Sequence, residues 1–330
     1  MGQARGPSLE RLRTILKRQT NPGWGSDYEP AIRAVRGEAP NSSHAFTLSA
    51  SKVPGRSIHL LSQQESFAAF LGLYHPNVVG LQEQRALMPD MRPHPLHNFP
   101  GIIAGTLSPL KGMIDVAQRL GYLKVLRRVW ALDAECEGGR RELVFPYVGD
   151  LLWAMRAADG RTYCVNWSVK DSEIAFKRPL QTERSIRSRE PLSTAVLPRH
   201  EMECTYYADA GIRTILLAAT GIDEDLRSNL RHLFAHHNRI IRLPDDEQEK
   251  LLTRFRHCLD TGVPPSELIV RLTGAGKYSL EDCKNVLFQG IWFRRLRVDL
   301  FRPILINRPL MHETQDVVVR YADWFSEVPC

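Results

Sequence analysis

The spacing of apolar residues shifts between helical and strand periods several times along this 330-residue chain. From Leu60 to Tyr74 the run LLSQQESFAAFLGLY repeats apolar positions every three or four residues. Ser62 stands where an N-cap belongs, so the pattern predicts a helix with Glu65 in its first turn. The next run, Val78 to Met88 (VVGLQEQRALM), alternates apolar and polar residues as a half-buried strand does. A proline-rich stretch, Pro89 to Pro109, leads to a predicted helix at Gly112–Leu120 and a predicted strand at Val125–Ala134. The segment FPYVGDLLWAMRAADGRTYCVNWSVK reads as a β-hairpin: strand Tyr147–Arg156, turn Ala158-Asp159-Gly160, strand Thr162–Lys170. Residues 199–210 are helical in period, Gly211 stops them, and Ile212–Ala218 read as a further strand. Helices and strands interleaved in this way predict an α/β core with a mixed β-sheet over residues 58–240.

The flanking segments have different grammar. Residues 241–330 open with predicted helices at Asp246–Leu259 and Pro265–Leu272; Ser279 then caps a helix to about Gln289, with Gly290 ending it. Ile291–Phe301 alternate like a β-ribbon, so this part reads as a mainly helical, winged-helix-like domain. Residues 1–57 are rich in Gly, Pro, Ser and Arg and predict a basic, partly ordered arm. It carries one amphipathic stretch at Leu9–Lys17 and a turn-forming run, Asn21-Pro22-Gly23-Trp24-Gly25. Arg5, Arg11, Arg13, Lys17 and Arg18 face only Glu10 there, which suits either a solvated tail or an arm that touches DNA. No internal repeat or low-complexity tract interrupts this plan.

Composition changes the picture little. Hydrophobic residues make up 43% and charged residues 25%, as in ordinary globular protein. Forty-four Lys and Arg against 37 Asp and Glu give a net charge of +7. That suits a polyanionic partner without selecting one. The six cysteines have no zinc-ligand spacing and are expected as free thiols of a reducing cytoplasm. Neither a signal-like apolar run nor a membrane-length one occurs, so no membrane partner is expected.

Candidate chemistry centres on the hairpin. Activating water against a phosphodiester calls for a hard divalent cation held by oxygen ligands, so acidic residues must converge. Asp150 stands immediately before the apolar run Leu151-Leu152-Trp153, and Ser168 and Lys170 lie two residues apart, on one face of the partner strand. An acid on one strand with polar-x-Lys on its neighbour is the spacing logic of restriction-type nucleases. Lys170 would orient the attacking water or stabilise the pentacovalent phosphate. Each residue alone has a plainer reading: a turn-forming Asp, a strand-end Lys, and in Glu65 a carboxylate favoured by the helix dipole.

The order of segments resembles the TnsA endonuclease family of heteromeric bacterial transposases. GRSIHLLSQQESFAAFLGLYHPNVVGLQEQRAL, residues 55–87, looks like that family's opening helix and its strand ending in Glu-Gln. YVGDLLWAMRAADG, VNWSVK and RHEMECTYYADAGIRTILLA resemble its following segments, so the likeness runs over roughly residues 25–240. It implies a restriction-endonuclease-like fold, with Glu65, Asp150 and Lys170 as catalytic glutamate, metal-binding aspartate and active-site lysine. Ser168 falls where the family places Gln or an acid. A serine reaches a metal less easily, so it would act through water, or the Val169 carbonyl would be the ligand beside Glu65 and Asp150. The resemblance further implies Mg²⁺, with Mn²⁺ able to substitute, and cutting of the 5′ (non-transferred) strand at transposon-end duplex DNA. It implies a TnsB-like DDE transposase and a TnsC-like AAA+ ATPase as partners, in a nucleoid-associated protein of the bacterial cytoplasm.

Asn166, Asp171 and Glu173 flank the candidate site and suit strand-end or cap roles. Glu201 or Glu203 could face it from the next helix, and His236-His237 reads as helix surface. Two basic clusters are candidate DNA contacts: Lys177, Arg178, Arg184, Arg187 and Arg189, and the later group Arg294, Arg295, Arg297, Arg302 and Arg308. A free-standing restriction or repair nuclease and a catalytically inactive assembly module are the rival expectations.

Overall fold

The computed structural model describes residues 7–40, 44–103, 105–132, 139–177 and 196–328. Within this range Ser8 Oγ accepts the Arg11 N–H at 3.3 Å and starts α1 (Leu9–Gln19). Its apolar side chains Leu12 and Ile15 pack with Ala31, Val129 and Phe145. The segment expected as a partly ordered arm is therefore built into a core. It also holds an unexpected pair of antiparallel strands, β1 (Phe46–Ala50) and β2 (Val53–Leu60). Pro54 and Gly55 at the start of β2 disguise it as loop in the sequence.

After α2 (Gln63–Tyr74) and β3 (Val78–Glu83), the expected strand Val78–Met88 breaks at Gln84, which takes φ 49°, and resumes as β4 (Ala86–Leu87). A non-glycine residue in this left-handed region costs about 1 kcal/mol and needs outside support. Then come α3 (Met113–Arg119), β5 (Arg128–Leu132), β6 (Arg140–Val144), β7 (Tyr147–Val148), β8 (Leu151–Arg156), β9 (Thr162–Lys170), α4 (Pro198–Ala208) and β10 (Arg213–Ala218). The main sheet has the order β10-β9-β8-β3. β8 runs antiparallel to both neighbours and β9 parallel to β10, so the sheet is mixed, as the sequence predicts.

Strand alternation sorts the two faces. Trp153 and Trp167, both fully buried, meet edge-to-face at 5.4 Å, and the Trp167 ring also meets Phe325 at 4.9 Å. On the other face Leu152, Ala154 and Cys164 pack with Met202 and Tyr206 of α4 and with Met113 and Val116 of α3. Leu96, Phe99 and Leu110 join that cluster, so the proline-rich stretch is a lid of core on this face.

Two compact units result: Met1–Ala68, Asn77–Gly221 and Asp323–Cys330 form the first, Ala69–Pro76 and Ile222–Ala322 the second. The boundary expected near residue 240 thus falls inside the second unit, beyond α5 (Glu224–Phe234). That unit continues with α6 (Asp245–Thr261), α7 (Pro265–Gly274) and α8 (Leu280–Trp292). Ser279 caps α8 as expected, accepting from the Asp282 N–H at 3.0 Å. Gly290 does not end the helix. A Cβ there would stand 2.5 Å from Leu252 Cδ1 of α6, so its role is to let two helices approach. Residues 293–301 form no β-ribbon: they turn and make one bridge, Val298 to His312. Their alternating apolar residues Leu296, Val298 and Leu300 are buried without a strand. His237, read as surface, is buried and stacked on Phe234 at 4.2 Å. Among the described residues no helix is long and apolar enough to cross a membrane.

Candidate functional site

Ser62 and Glu65 form a capping box at the start of α2. The Ser62 hydroxyl accepts the Glu65 N–H at 3.1 Å, and Glu65 Oε2 accepts the Leu61 N–H at 2.9 Å. This fixes the Glu65 carboxyl against the end of β3, where Gln84 Nε2 donates to Oε2 at 2.8 Å. Gln84 also donates its backbone N–H to the Asp150 carbonyl (2.9 Å), and its own carbonyl accepts from Ala31. One strained residue thus ties α2, the start of β8 and the N-terminal segment together, which supplies the support its left-handed backbone requires.

Asp150 sits where β8 begins and β9 continues past it. The Val169 N–H, left without a strand partner there, donates to Asp150 Oδ2 at 2.7 Å. Lys170 Nζ lies 3.6 Å from the same oxygen and donates to the Val169 carbonyl at 2.8 Å. Glu65, Asp150, Lys170 and Gln84 line one cleft of about 470 Å³. Burial first, and then the negative charge of Asp150, pushes the Glu65 carboxyl up to about 8, against the opposing effects of the Leu61 N–H, Ser62 and Lys170. A buried carboxyl crowded by the charge of a second is set to receive positive charge.

Ser168 shares the strand face of Lys170, yet its hydroxyl meets His200 Nδ1 of α4 at 3.2 Å, and the residue is fully buried outside the cleft lining. It belongs to a polar layer behind the cleft. There Glu203 Oε1 accepts from Asn166 Nδ2 at 3.1 Å and Glu203 Oε2 stands 3.7 Å from His200. Although burial opposes ionisation, hydrogen bonds from His200 and Asn166 and the charge of Arg199 hold the Glu203 carboxyl below its usual range. Glu203 is thus buried in this layer, and Glu201 accepts from the Tyr122 hydroxyl at 2.7 Å. Asp171 accepts the Ser172 N–H in a local turn and Glu173 opens a short helix, as cap roles require.

The expected basic clusters divide. Lys177 is half-buried and bridges to Val196, while Arg178, Arg184, Arg187 and Arg189 lie outside the described residues. In the second unit Arg294 and Arg297 both meet Asp316, at 2.7 and 2.8 Å; Arg297 also pairs with Glu313 and Arg295 with Glu249. Their charge is answered in place.

Several cleft residues escape the sequence reading: Gln84, Arg127 just before β5, Tyr147 of β7 and Arg199 in the first turn of α4; Arg11 of α1, named in the basic arm, joins them in the lining. The signal for Gln84 lies in the Gln82-Glu83-Gln84 run itself. Glu83, wholly buried, takes Arg56 Nη1 on both oxygens at 2.8 and 2.9 Å, so Arg56 and the acid of this run are a structural pair that aims Gln84 at Glu65. The arginines are separated by some seventy residues or more and only the fold gathers them.

The donor set suits a hard divalent cation. Glu65 and Asp150 offer carboxylate oxygens from the cleft lining, and the Val169 carbonyl, outside that lining, already accepts from Lys170 Nζ at 2.8 Å; among the described residues no group of three or more His, Cys, Asp or Glu side chains is arranged for a metal. Water and a phosphate oxygen would have to complete such a shell, as is usual for Mg²⁺. Comparison with protein-family models and with curated proteins returns no match to this chain.

Proposed function

We propose that this chain is a Mg²⁺-dependent DNA endonuclease of the TnsA type. It would hydrolyse the 5′, non-transferred strand at transposon ends, beside a DDE transposase that cuts and joins the 3′ strand and under an AAA+ regulator. The observation that carries the reading is the convergence of Glu65, Asp150 and Lys170, from three separate elements, in one cleft whose rim is arginine. On this reading the first unit is a restriction-endonuclease-like core, and the helical second unit, with its bridge in place of a wing, is the partner-contacting module. The protein works in the bacterial cytoplasm on nucleoid DNA.

Glu65, Asp150 and the Val169 carbonyl would hold the cation, which when bound supplies Lewis acidity toward water and phosphate and permits Mn²⁺ to substitute. Lys170 keeps a compact positive charge 3.6 Å from Asp150, where it orients the attacking water and offsets charge growing on the phosphorane oxygens. Gln84, bonded to Glu65 and to the Asp150 backbone, holds the two carboxylates in register. Ser168, bonded to His200, stiffens β9 from behind the cleft and makes no contact with metal.

The test is cleavage of a labelled transposon-end duplex by this chain with its cognate DDE transposase and Mg²⁺. Loss of 5′-strand cutting in Asp150→Ala and Lys170→Ala, with 3′-strand cutting kept, supports the assignment. Unchanged 5′ cutting in both variants rejects the site and favours an inactive assembly module. Efficient cutting by the purified chain alone favours a free-standing nuclease.

A further inference from the structure

Three guanidinium groups reach the cleft from distant parts of the first unit: Arg11, Arg127 and Arg199. Two of them share a platform. The Cζ atoms of Arg127 and Arg199 lie 5.4 and 5.6 Å from the centroid of the Tyr147 ring. That ring is itself buried and fixed by its hydroxyl, which donates to the Val125 carbonyl at 2.8 Å. A guanidinium held on an aromatic face is attracted by the ring's quadrupole and keeps its N–H edge available to other acceptors. Arg199 gives one N–H to the Val148 carbonyl at 3.0 Å, while its Nε is buried with no acceptor among the described residues. Among the described residues Glu65 and Asp150 are the only carboxylates in the cleft lining, and both are engaged with Leu61, Gln84, Val169 and Lys170.

We propose that Arg127 and Arg199, both held on Tyr147, with Arg11 at the rim, form a subsite for the DNA phosphate next to the one that is cut. The proposal rests on the nuclease reading of the cleft and extends it to residues that the TnsA resemblance does not mark. A phosphodiester fits each guanidinium edge through two parallel N–H donors, a match that an ammonium cannot reproduce. Gripping the neighbouring phosphate sets the register of the strand, so that the scissile phosphorus stands before Asp150 and Lys170.

The experiment uses the full chain and a short labelled duplex, with Ca²⁺ in place of Mg²⁺, and follows binding by fluorescence anisotropy across a NaCl series. Arg127→Gln with Arg199→Gln is expected to weaken binding on the order of tenfold or more. It should also make the slope of log K against log salt shallower by about 1, the counterion that one phosphate contact releases. Arg127→Lys with Arg199→Lys keeps the charge, so it should keep the slope while recovering only part of the affinity. The lysine pair also reads the site should the glutamine pair fold poorly. A glutamine pair with the wild-type slope, or a lysine pair with full affinity, overturns the subsite. So does a wild-type chain that fails to hold the duplex at low salt. An unchanged slope together with lost cutting in Asp150→Ala removes the subsite and leaves the nuclease. A shallower slope with cutting intact in Asp150→Ala keeps the phosphate grip and removes the nuclease.

Discussion

Arg294, Arg295 and Arg297 in the second unit and Glu65, Asp150 and Lys170 in the first are both small groups of charged side chains, and they are treated in opposite ways. Each arginine meets a carboxylate of its own unit. Burial alone would raise the Asp316 carboxyl, but its bonds to Arg294 and Arg297 bring it down to about 2. In the cleft the carboxyls face each other instead, and Glu65 moves up to about 8. A settled network stores nothing for a ligand to release. A cleft that crowds like charges out of water is stabilised by whatever cation comes to it. Charge counts along the chain do not disclose this, because the location of the counter-charges is set by the fold.

The largest expected effect sharpens this contrast. Asp150→Ala or Lys170→Ala should lower 5′-strand cutting by about 10²–10⁴, the usual weight of a proton-transfer or charge-stabilising group. Arg297→Ala should leave it within about twofold under the same gel assay, and a comparable loss there would erase the distinction. Next, Asp316→Ala strands the mostly buried Arg294 beside Arg297. About 2 kcal/mol of unfolding free energy should be lost in urea titration, less than a fully buried pair would cost because both groups keep some water.

A further effect concerns pH. The folded Glu65 pKa is raised, so its protonated form favours the fold at low pH, and that stability is lost as pH rises from the ordinary carboxylate value toward about 8. Metal-free wild type should therefore lose up to about 1.4 kcal/mol per pH unit across that window. Glu65→Gln should flatten the slope, and Mg²⁺ should flatten it in the wild type. A wild-type curve already flat without metal would contradict the crowding of the two carboxyls. Smallest of all, Arg295→Ala breaks a half-exposed pair with Glu249 and should change stability by less than about 0.5 kcal/mol by thermal melting.

What the sequence discloses depends on how local the cause is. Ser62-x-x-Glu65 announces its own helix start, and the hairpin turn at Asp159-Gly160 places Asp150 and Lys170 at neighbouring strand ends, so these three residues are legible before any fold is known. The direction of Ser168 is not, because it is decided by His200, thirty-two residues later on α4. At Gln84 the polar run Gln82-Glu83-Gln84-Arg85 interrupts the apolar alternation, but nothing local shows that this residue is left-handed and held by distant hydrogen bonds. The alternation at Ile291–Phe301 misleads for the converse reason: burial at every second position needs no strand when turns deliver the same side chains to the same core.

Gln84 also bears on how such a protein can change over generations. Its carbonyl is held by Ala31, its amide by Glu65 and its backbone N–H by Asp150, so a segment that reads as an appendage is joined directly to the residues of the cleft. A graft of the cleft onto another scaffold would therefore have to carry residues 8–40 along with it.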